Sequence, residues 1–178
     1  MRDDMVQHGP FPVDQDIINY ITRDRRVGEV CMVLQRPDGR VWCAAKTFYI
    51  NHTARLLTGG VHPGEDIRAA LCREVAEETG LAILADTLVC GVTYQSTVPF
   101  RTWVFHCRVS DATPVAHDPS ERIHHFEALQ PRDLLTRAHR LASLPPVHGA
   151  DVGGTWRAWG EFRAHTHRVV AEYLLHGG

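Results

Sequence analysis

At 178 residues and 20.0 kDa, with 44% hydrophobic and 22% charged residues, the chain has ordinary globular composition and enough length for one substantial core. A net charge of −2 and an isoelectric point near 6.6 exclude a broad basic face for gripping long nucleic acid, so any acidic substrate must be met by a local site. The N-terminus lacks the apolar run of a secretory signal and no window is long enough to span a bilayer, so a cytoplasmic location is expected. Five cysteines, an odd number without CxxC spacing, lie in apolar stretches and are expected as reduced core thiols.

Residues 1–27 suggest an extension with a short helix over 14–22, where Ile17, Ile18 and Ile21 share one face. Packing against the domain is the simplest role, with a lid or a dimer contact as alternatives. Residues 28–178 are expected to form a single domain that includes the C-terminal helices. Arg23, Arg25 and Arg26 form a small basic run, expected on the solvated surface. Residues 30–34 and 41–46 suggest strands joined by the turn Arg36-Pro37-Asp38-Gly39-Arg40. A hairpin centred on Asp38-Gly39 would set Cys43 opposite Leu34 and Cys31 opposite Lys46.

Lys46, the only lysine among 19 cationic residues, and Arg55 precede a glycine-containing segment, GGVHPGEDIRAALCREVAEETGL, at residues 59–81. Both could meet phosphate oxygens, with surface solvation the alternative for Arg55. A helix is expected from Asp66, as N-cap, to a stop at Gly80. At about 100° per residue, Ile67, Leu71 and Val75 share a stripe that also holds Glu74 and Glu78, with Glu77 on its shoulder. Inward carboxylates lose hydration and repel one another, and acid at a helix C-terminus opposes the dipole, so a cation is expected to compensate. Hard divalent cations such as Mg²⁺ take oxygen ligands of this kind, and a backbone carbonyl at Gly59 or Gly60 could join them.

Gly59, Glu65, Arg73, Glu74, Val75, Glu77, Glu78, Gly80 and Leu81 fill every fixed position of the Nudix box, and on these residues the chain resembles the Nudix hydrolases. It departs just before the box, where the family's usual Pro-Gly-Gly is replaced by Leu57, Thr58 and Gly59. The resemblance implies a Nudix-like α/β/α sandwich with a mixed central sheet, and Mg²⁺, with Mn²⁺ as an alternative, held by Glu74, Glu77, Glu78 and the Gly59 carbonyl. It further implies that Arg73 orients a neighbouring carboxylate, with Glu65 bracing it.

Residues 81–95 suggest one bent strand or two. In 100–109, Trp103, Phe105, Cys107 and Val109 alternate with Thr102, Val104, His106 and Arg108, a strand with one strongly apolar face. The resemblance directs attention to the region after the box for substrate choice, hence to Tyr94, Phe100 and Arg101 around the intervening turn. Gln95-Ser96 and Pro99-Phe100 are partly similar to the NADH-cleaving pattern, without its tryptophan. Relatives also carry a late-loop carboxylate acting as metal ligand or general base. Glu121 is the first candidate here and Asp118 the second, against the plain alternative of a solvent-facing acid.

Residues 121–127 suggest a last strand, on which adjacent His124 and His125 would face opposite ways and form no joint metal site. A helix is expected over 131–143, with Leu134, Leu135, Ala138 and Leu141 on one side. A second is expected over Trp156–Leu175, with Trp159, Phe162, Thr166, Val169 and Tyr173 on a core stripe and a dimer surface or base-stacking wall as the alternative.

The resemblance thus implies metal-dependent hydrolysis of a diphosphate linkage in a nucleoside diphosphate derivative: a nucleotide sugar, ADP-ribose, a dinucleotide or a nucleoside triphosphate. Such a cation neutralises charge at phosphorus and acidifies water, with Glu78 or Glu121 taking the proton. A nucleotide-sensing domain of the same fold without turnover is the alternative. A prenyl-type diphosphate isomerase gains nothing from Cys72, which lies on the side of the helix away from Glu74 and Glu78. The expected partner is a small nucleotide-derived substrate, with no membrane, and a homodimer can accompany it.

Overall fold

The computed structural model describes residues 5–177. In chain order the elements are β1 (Gln7–Pro12), α1 (Gln15–Thr22), β2 (Gly28–Gln35), β3 (Val41–Lys46), β4 (Arg55–Val61), α2 (Ile67–Thr79), β5 (Ile83–Gln95), β6 (Arg101–Val109), β7 (Ile123–Leu129), α3 (Asp133–Ala142), the short ribbon β8 (His148–Gly149) and β9 (Gly154–Thr155), and α4 (Trp156–Leu175). Seven strands form one mixed sheet in the order β1-β5-β6-β2-β4-β3-β7. The pairs β1/β5 and β2/β6 are parallel and the remaining neighbours antiparallel.

The alternation of side chains along β2 divides the core in two. Val30, Met32 and Leu34 face the layer that holds Leu71 and Val75 of α2, whereas Cys31 and Val33 face the layer of α1, α3 and α4. This is the α/β/α sandwich with a mixed central sheet that the box resemblance implies. Along β6, Trp103, Phe105, Cys107 and Val109 fall in the α2 layer as their spacing suggests. β5 is one strand, bent by two register shifts.

The turn at 36–40 forms, with Arg36 N donating to Arg40 O at 2.9 Å, but the strands it joins do not make a full hairpin. They pair at Gln35 and Val41 and then diverge, and β4 runs between them, antiparallel to both. Cys31 therefore lies opposite Thr58 and Cys43 opposite Leu56, in place of the expected Lys46 and Leu34. The cause is β2 itself, buried on both faces, which needs a neighbour on each edge and takes β6 and β4. Gly59 and Gly60 are correspondingly in strand rather than in a turn; in the loop that follows, Gly64, with φ +78°, has the turn conformation that favours glycine.

The α1 helix is capped by Asp14, whose side chain accepts from Asp16 N, and it buries Ile17 and Ile18. The strand before it had no signal in the sequence, since Gln7–Pro12 carries two prolines and no alternation; only its distant partner β5 makes it a strand. α3 buries Leu134, Ala138 and Leu141 as expected, but Leu135 is exposed and Arg137 takes its place inside. The spacing 134, 137, 138, 141 is the true helical stripe, and Arg137 is accommodated there by donating to Ala54 O at 2.6 Å and to the Glu127 carboxylate at 3.0 and 2.9 Å. All five cysteines are free, four of them buried, while Cys72 is exposed on α2 and is not a core thiol.

Two buried side chains of α4, Arg163 and His167, tie the helix to the sheet. Arg163 donates to both oxygens of Glu29 at 2.7 and 2.8 Å, and Thr102 donates to the same carboxylate at 2.9 Å. His167 accepts from Leu56 N at 3.1 Å through Nε2, and its Nδ1 lies 2.9 Å from Arg163 O, so the neutral tautomer with a proton on Nδ1 satisfies both ends. Burial, reinforced by the charges of Arg55, Arg137 and Arg163, holds this imidazole down at about 3, far below the ordinary value of 6.5.

Two outcomes follow from this packing. The unfolded imidazole protonates near 6.5 and the folded one only near 3, so the stability it contributes is complete above the higher value and is lost as the pH falls towards the lower; at pH 5 the loss is about 2 kcal/mol. His167→Gln can keep both hydrogen bonds without titrating and should remove roughly that much of the acid sensitivity in urea unfolding at pH 7 and pH 5; equal sensitivity in the variant would rule this out. Gly59→Ala would put a Cβ 2.0 Å from Cγ of Glu74, so it should displace that side chain and lower the urea-unfolding free energy by about 1–3 kcal/mol; an unchanged midpoint would contradict the packing of α2 on β4.

Candidate active site

The site is set by where α2 ends. Its N-terminus is fixed by Asp66, whose carboxylate accepts from Arg68 N at 2.9 Å and Ala69 N at 3.1 Å, and its C-terminus by left-handed Gly80, φ 63°. Between these stops the helix buries Leu71, Glu74, Val75 and Glu78 on one side, the mixed stripe anticipated from the sequence. Gly59 gives Glu74 its room, because no side chain stands between that carboxylate and β4.

Arg73 is the hub that keeps the acids apart. Its Nε and Nη2 donate to Glu65 at 3.0 and 3.1 Å, Nη1 donates to Glu74 at 2.7 Å and Glu77 at 3.3 Å, and Nη2 also reaches Gly60 O at 2.9 Å. Glu65 accepts in addition from His62 N at 2.9 Å, closing the loop before the helix. The hydrogen bond to Glu65, above all, raises the Arg73 guanidinium above its ordinary value.

The late loop supplies a further acid. Glu121 ends a 3-10 turn, Pro119–Glu121, whose preceding Asp118 caps Ser120 N at 2.8 Å. It lies before β7 rather than inside the last strand. Glu74, Glu77 and Glu121 each bring one oxygen within 4.8 Å of the others, a donor set that fits a hard divalent cation. Glu78 lies deeper, 2% exposed, and is held by Lys46, whose Nζ is 3.1 Å from Glu78 and 2.7 Å from Glu121.

Burial raises Glu78 to about 7, with Lys46 opposing and Glu121 adding to the rise. Burial likewise raises Glu74, against Arg73. For Glu121 burial acts upward too, but the hydrogen bond from Lys46 and its charge outweigh it and hold the carboxyl below its usual range. Lys46 itself is raised, because Glu78, Tyr49 and Glu121 more than offset its own desolvation. The two carboxyls that share Lys46 are therefore pushed in opposite directions, Glu78 up and Glu121 down.

A cleft of about 430 Å³ opens beside these groups, with Lys46 and Glu121 on its wall. Arg55 also lines it, but is 6% exposed instead of solvated; it donates to Tyr49 Oη at 2.9 Å, Leu56 O at 2.6 Å and Thr58 Oγ1 at 3.0 Å. Arg23 and Arg26, expected simply as surface charges, line the same cleft. Tyr94, Phe100 and Arg101 do not; they line a different depression with Trp103. Tyr94 and Phe100 are buried there against Phe162, and Tyr94 Oη lies 2.9 Å from Thr102 Oγ1.

Trp159 and Arg163 complete the cleft wall; the aromatic stripe of Trp159 reads first as core, with a base-stacking wall only as an alternative, and Arg163 had no functional signal in the sequence. His124 and His125 do not face opposite ways. β7 skips a residue against β3 at this point, and the bulge brings their Nδ1 atoms to 2.9 Å, with His52 stacked on His124 at 4.0 Å.

A NUDIX domain profile matches residues 24–147. No curated protein matches the chain. Among solved structures, a protein of Deinococcus radiodurans shares 27% identity over 65% of this chain and 72% of its own, with a TM-score of 0.50. A MutT NUDIX hydrolase from Burkholderia pseudomallei shares 21% over 83% of this chain and 95% of its own, with a TM-score of 0.52. With well over half of its length covered by the domain profile and the sandwich fold in common, the chain belongs to the Nudix family.

Proposed function

We propose that the protein is a Mg²⁺-dependent pyrophosphohydrolase that cleaves a diphosphate linkage in a nucleoside diphosphate derivative, with Mn²⁺ as a substitute ion. The observation that carries this reading is the meeting of Glu74, Glu77 and Glu121 within 4.8 Å beside a cleft that also takes in Lys46. The carboxylates are held for a cation rather than for one another, because Arg73 restrains Glu74 and Glu77 from one side and Lys46 restrains Glu121 from the other.

When bound, a divalent cation there neutralises charge on the phosphates and acidifies water. The protein groups do the rest. Glu74, Glu77 and Glu121 are the side-chain ligands, Arg73 and Glu65 fix their direction, and the Gly59 carbonyl and Glu78 complete the proposed ligand set. Water adds to one phosphorus of the linkage, the bond from that phosphorus to the bridging oxygen breaks, and the water's proton passes to a carboxylate. Glu78 and Glu121 are the two placed for this, both within reach of Lys46, which spreads their negative charge and lines the substrate side.

Release of phosphate or nucleoside monophosphate, measured with Mg²⁺ over a panel of nucleotide derivatives, tests the reading. Glu78→Gln and Glu121→Gln should each fold, and the one that removes the base should lower kcat by roughly 10²–10⁴-fold. Nucleotide binding without turnover by the folded wild type would replace the enzyme by a sensor of the same fold, and full activity in both variants would remove these carboxylates from the chemistry.

A further inference from the structure

The cleft is far more cationic than the protein around it. Arg23, Arg26, Lys46, Arg55, Arg122 and Arg163 line it against only Glu121 and Asp151, in a chain whose net charge is −2. Part of this charge is spent internally. Arg122 pairs with Asp151 at 3.2 Å, Arg23 with Asp24 at 3.7 Å and Arg163 with Glu29, while Lys46 serves the carboxylates. Arg26 makes no ion pair and Arg55 has no carboxylate partner among the described residues. Nε of Arg163, a side chain more than nine-tenths buried, has no hydrogen-bond partner there either.

Several of these cations are also held in place. The Arg23 guanidinium lies 3.8 Å over the Tyr20 ring and that of Arg122 lies 4.5 Å over Phe48, arrangements that fix direction and reduce the ordering cost of binding. Arg26 lies against Gly60, where an added Cβ would come within 2.7 Å of its Cδ and Nε. Gly60 O is in turn an acceptor of Arg73, so Arg26 stands at the junction of the carboxylate centre and the cleft.

Much of this wall comes from outside the part of the chain that defines the family. Tyr20 and Arg23 precede residues 24–147, and Trp159 and Arg163 follow them. A neutral sugar beyond the diphosphate would leave the buried guanidinium of Arg55 and the exposed one of Arg26 without an anionic partner.

Building on the hydrolase reading, we infer that this cleft selects a nucleotide carrying at least one phosphate more than the cleaved linkage, and that Arg26, with the end of α1 and the first turns of α4, is the determinant of that preference. The extra phosphate is either the end of a triphosphate chain or a phosphate on the group linked through the diphosphate; both present the same dianionic oxygens to arginine forks.

Calorimetric titration of the full chain with methylene-bridged analogues that cannot be cleaved tests this apart from turnover. Three ligands share one nucleoside: a triphosphate, a diphospho-sugar, and that sugar carrying a further phosphate. The wild type should bind one or both of the extra-phosphate ligands at least about tenfold tighter than the diphospho-sugar, the effect of one charge-assisted hydrogen-bond pair. Which of the two is favoured identifies the source of the phosphate. Arg26→Ala should remove about tenfold of that preference, and Arg26→Lys should restore part of it. Because Arg26 is exposed, a folding defect is not expected, and circular dichroism checks it. Equal affinity for all three ligands, no binding, or a preference untouched in Arg26→Ala would overturn the inference. Preference without turnover would instead sink the hydrolase reading alone, and turnover without preference would sink this inference alone.

Discussion

Carboxylates of Glu65, Glu74, Glu77, Glu78 and Glu121 are crowded about the end of one helix, and the structure around them is largely a response to that crowding. Two cations keep the group together. Arg73 spans Glu65, Glu74, Glu77 and the Gly60 carbonyl, and Lys46 spans Glu78 and Glu121. A fork is needed on the first side, where several acceptors lie in different directions, and a compact charge suffices on the second. Even so, burial leaves Glu74 and Glu78 with raised pKa values. The folded protein thus retains unfavourable electrostatics that a divalent cation would relieve, the pattern expected where local stability yields to function.

The elements that display this group were legible because their signals are local. The α2 helix carries its own cap, its own stop and its own stripe, and β6 carries an unmistakable alternation. The inward position of Glu74 and Glu78 followed from helical angle alone. What sequence spacing did not show was partner choice. β4 enters between β2 and β3 because both edges of a fully buried strand must be paired, a demand that no pattern within residues 30–46 expresses. Arg137 occupies a core position on α3 because Ala54 O and Glu127 are there to receive it, and residue type alone argued for Leu135.

The cleft was less legible for the same reason. Tyr94 and Phe100 lie next to the turn that sequence order made attractive, yet they point into the α4 layer and close the core with Phe162. The residues that do line the cleft come from both ends of the chain and from the segments around 46–58 and 120–122, and meet only through the fold. A basic run at 23–26 and an aromatic stripe on a distant helix each have an ordinary explanation when taken singly. Their convergence changes the meaning of both.

That convergence also links ligand contact to stability. Gly153 admits Tyr20, whose Cβ and Cγ would lie within 2.2 Å of any side chain added there, so the loop before α4 is closed onto α1. Arg163, on the same cleft wall, is tied to β2 through Glu29 and to Thr102 on β6 through the same carboxylate. Removing one member of such a buried pair leaves an uncompensated charge and costs about 3–5 kcal/mol, far more than any single exposed arginine contributes. The wall is therefore built from two kinds of cation: Arg163 is fixed by the core it holds together, while Arg23 and Arg26 are exposed and held only by surface contacts. Selection for a new ligand can change the second kind with little cost to the fold, whereas the first kind constrains which ligands the cleft accepts at all.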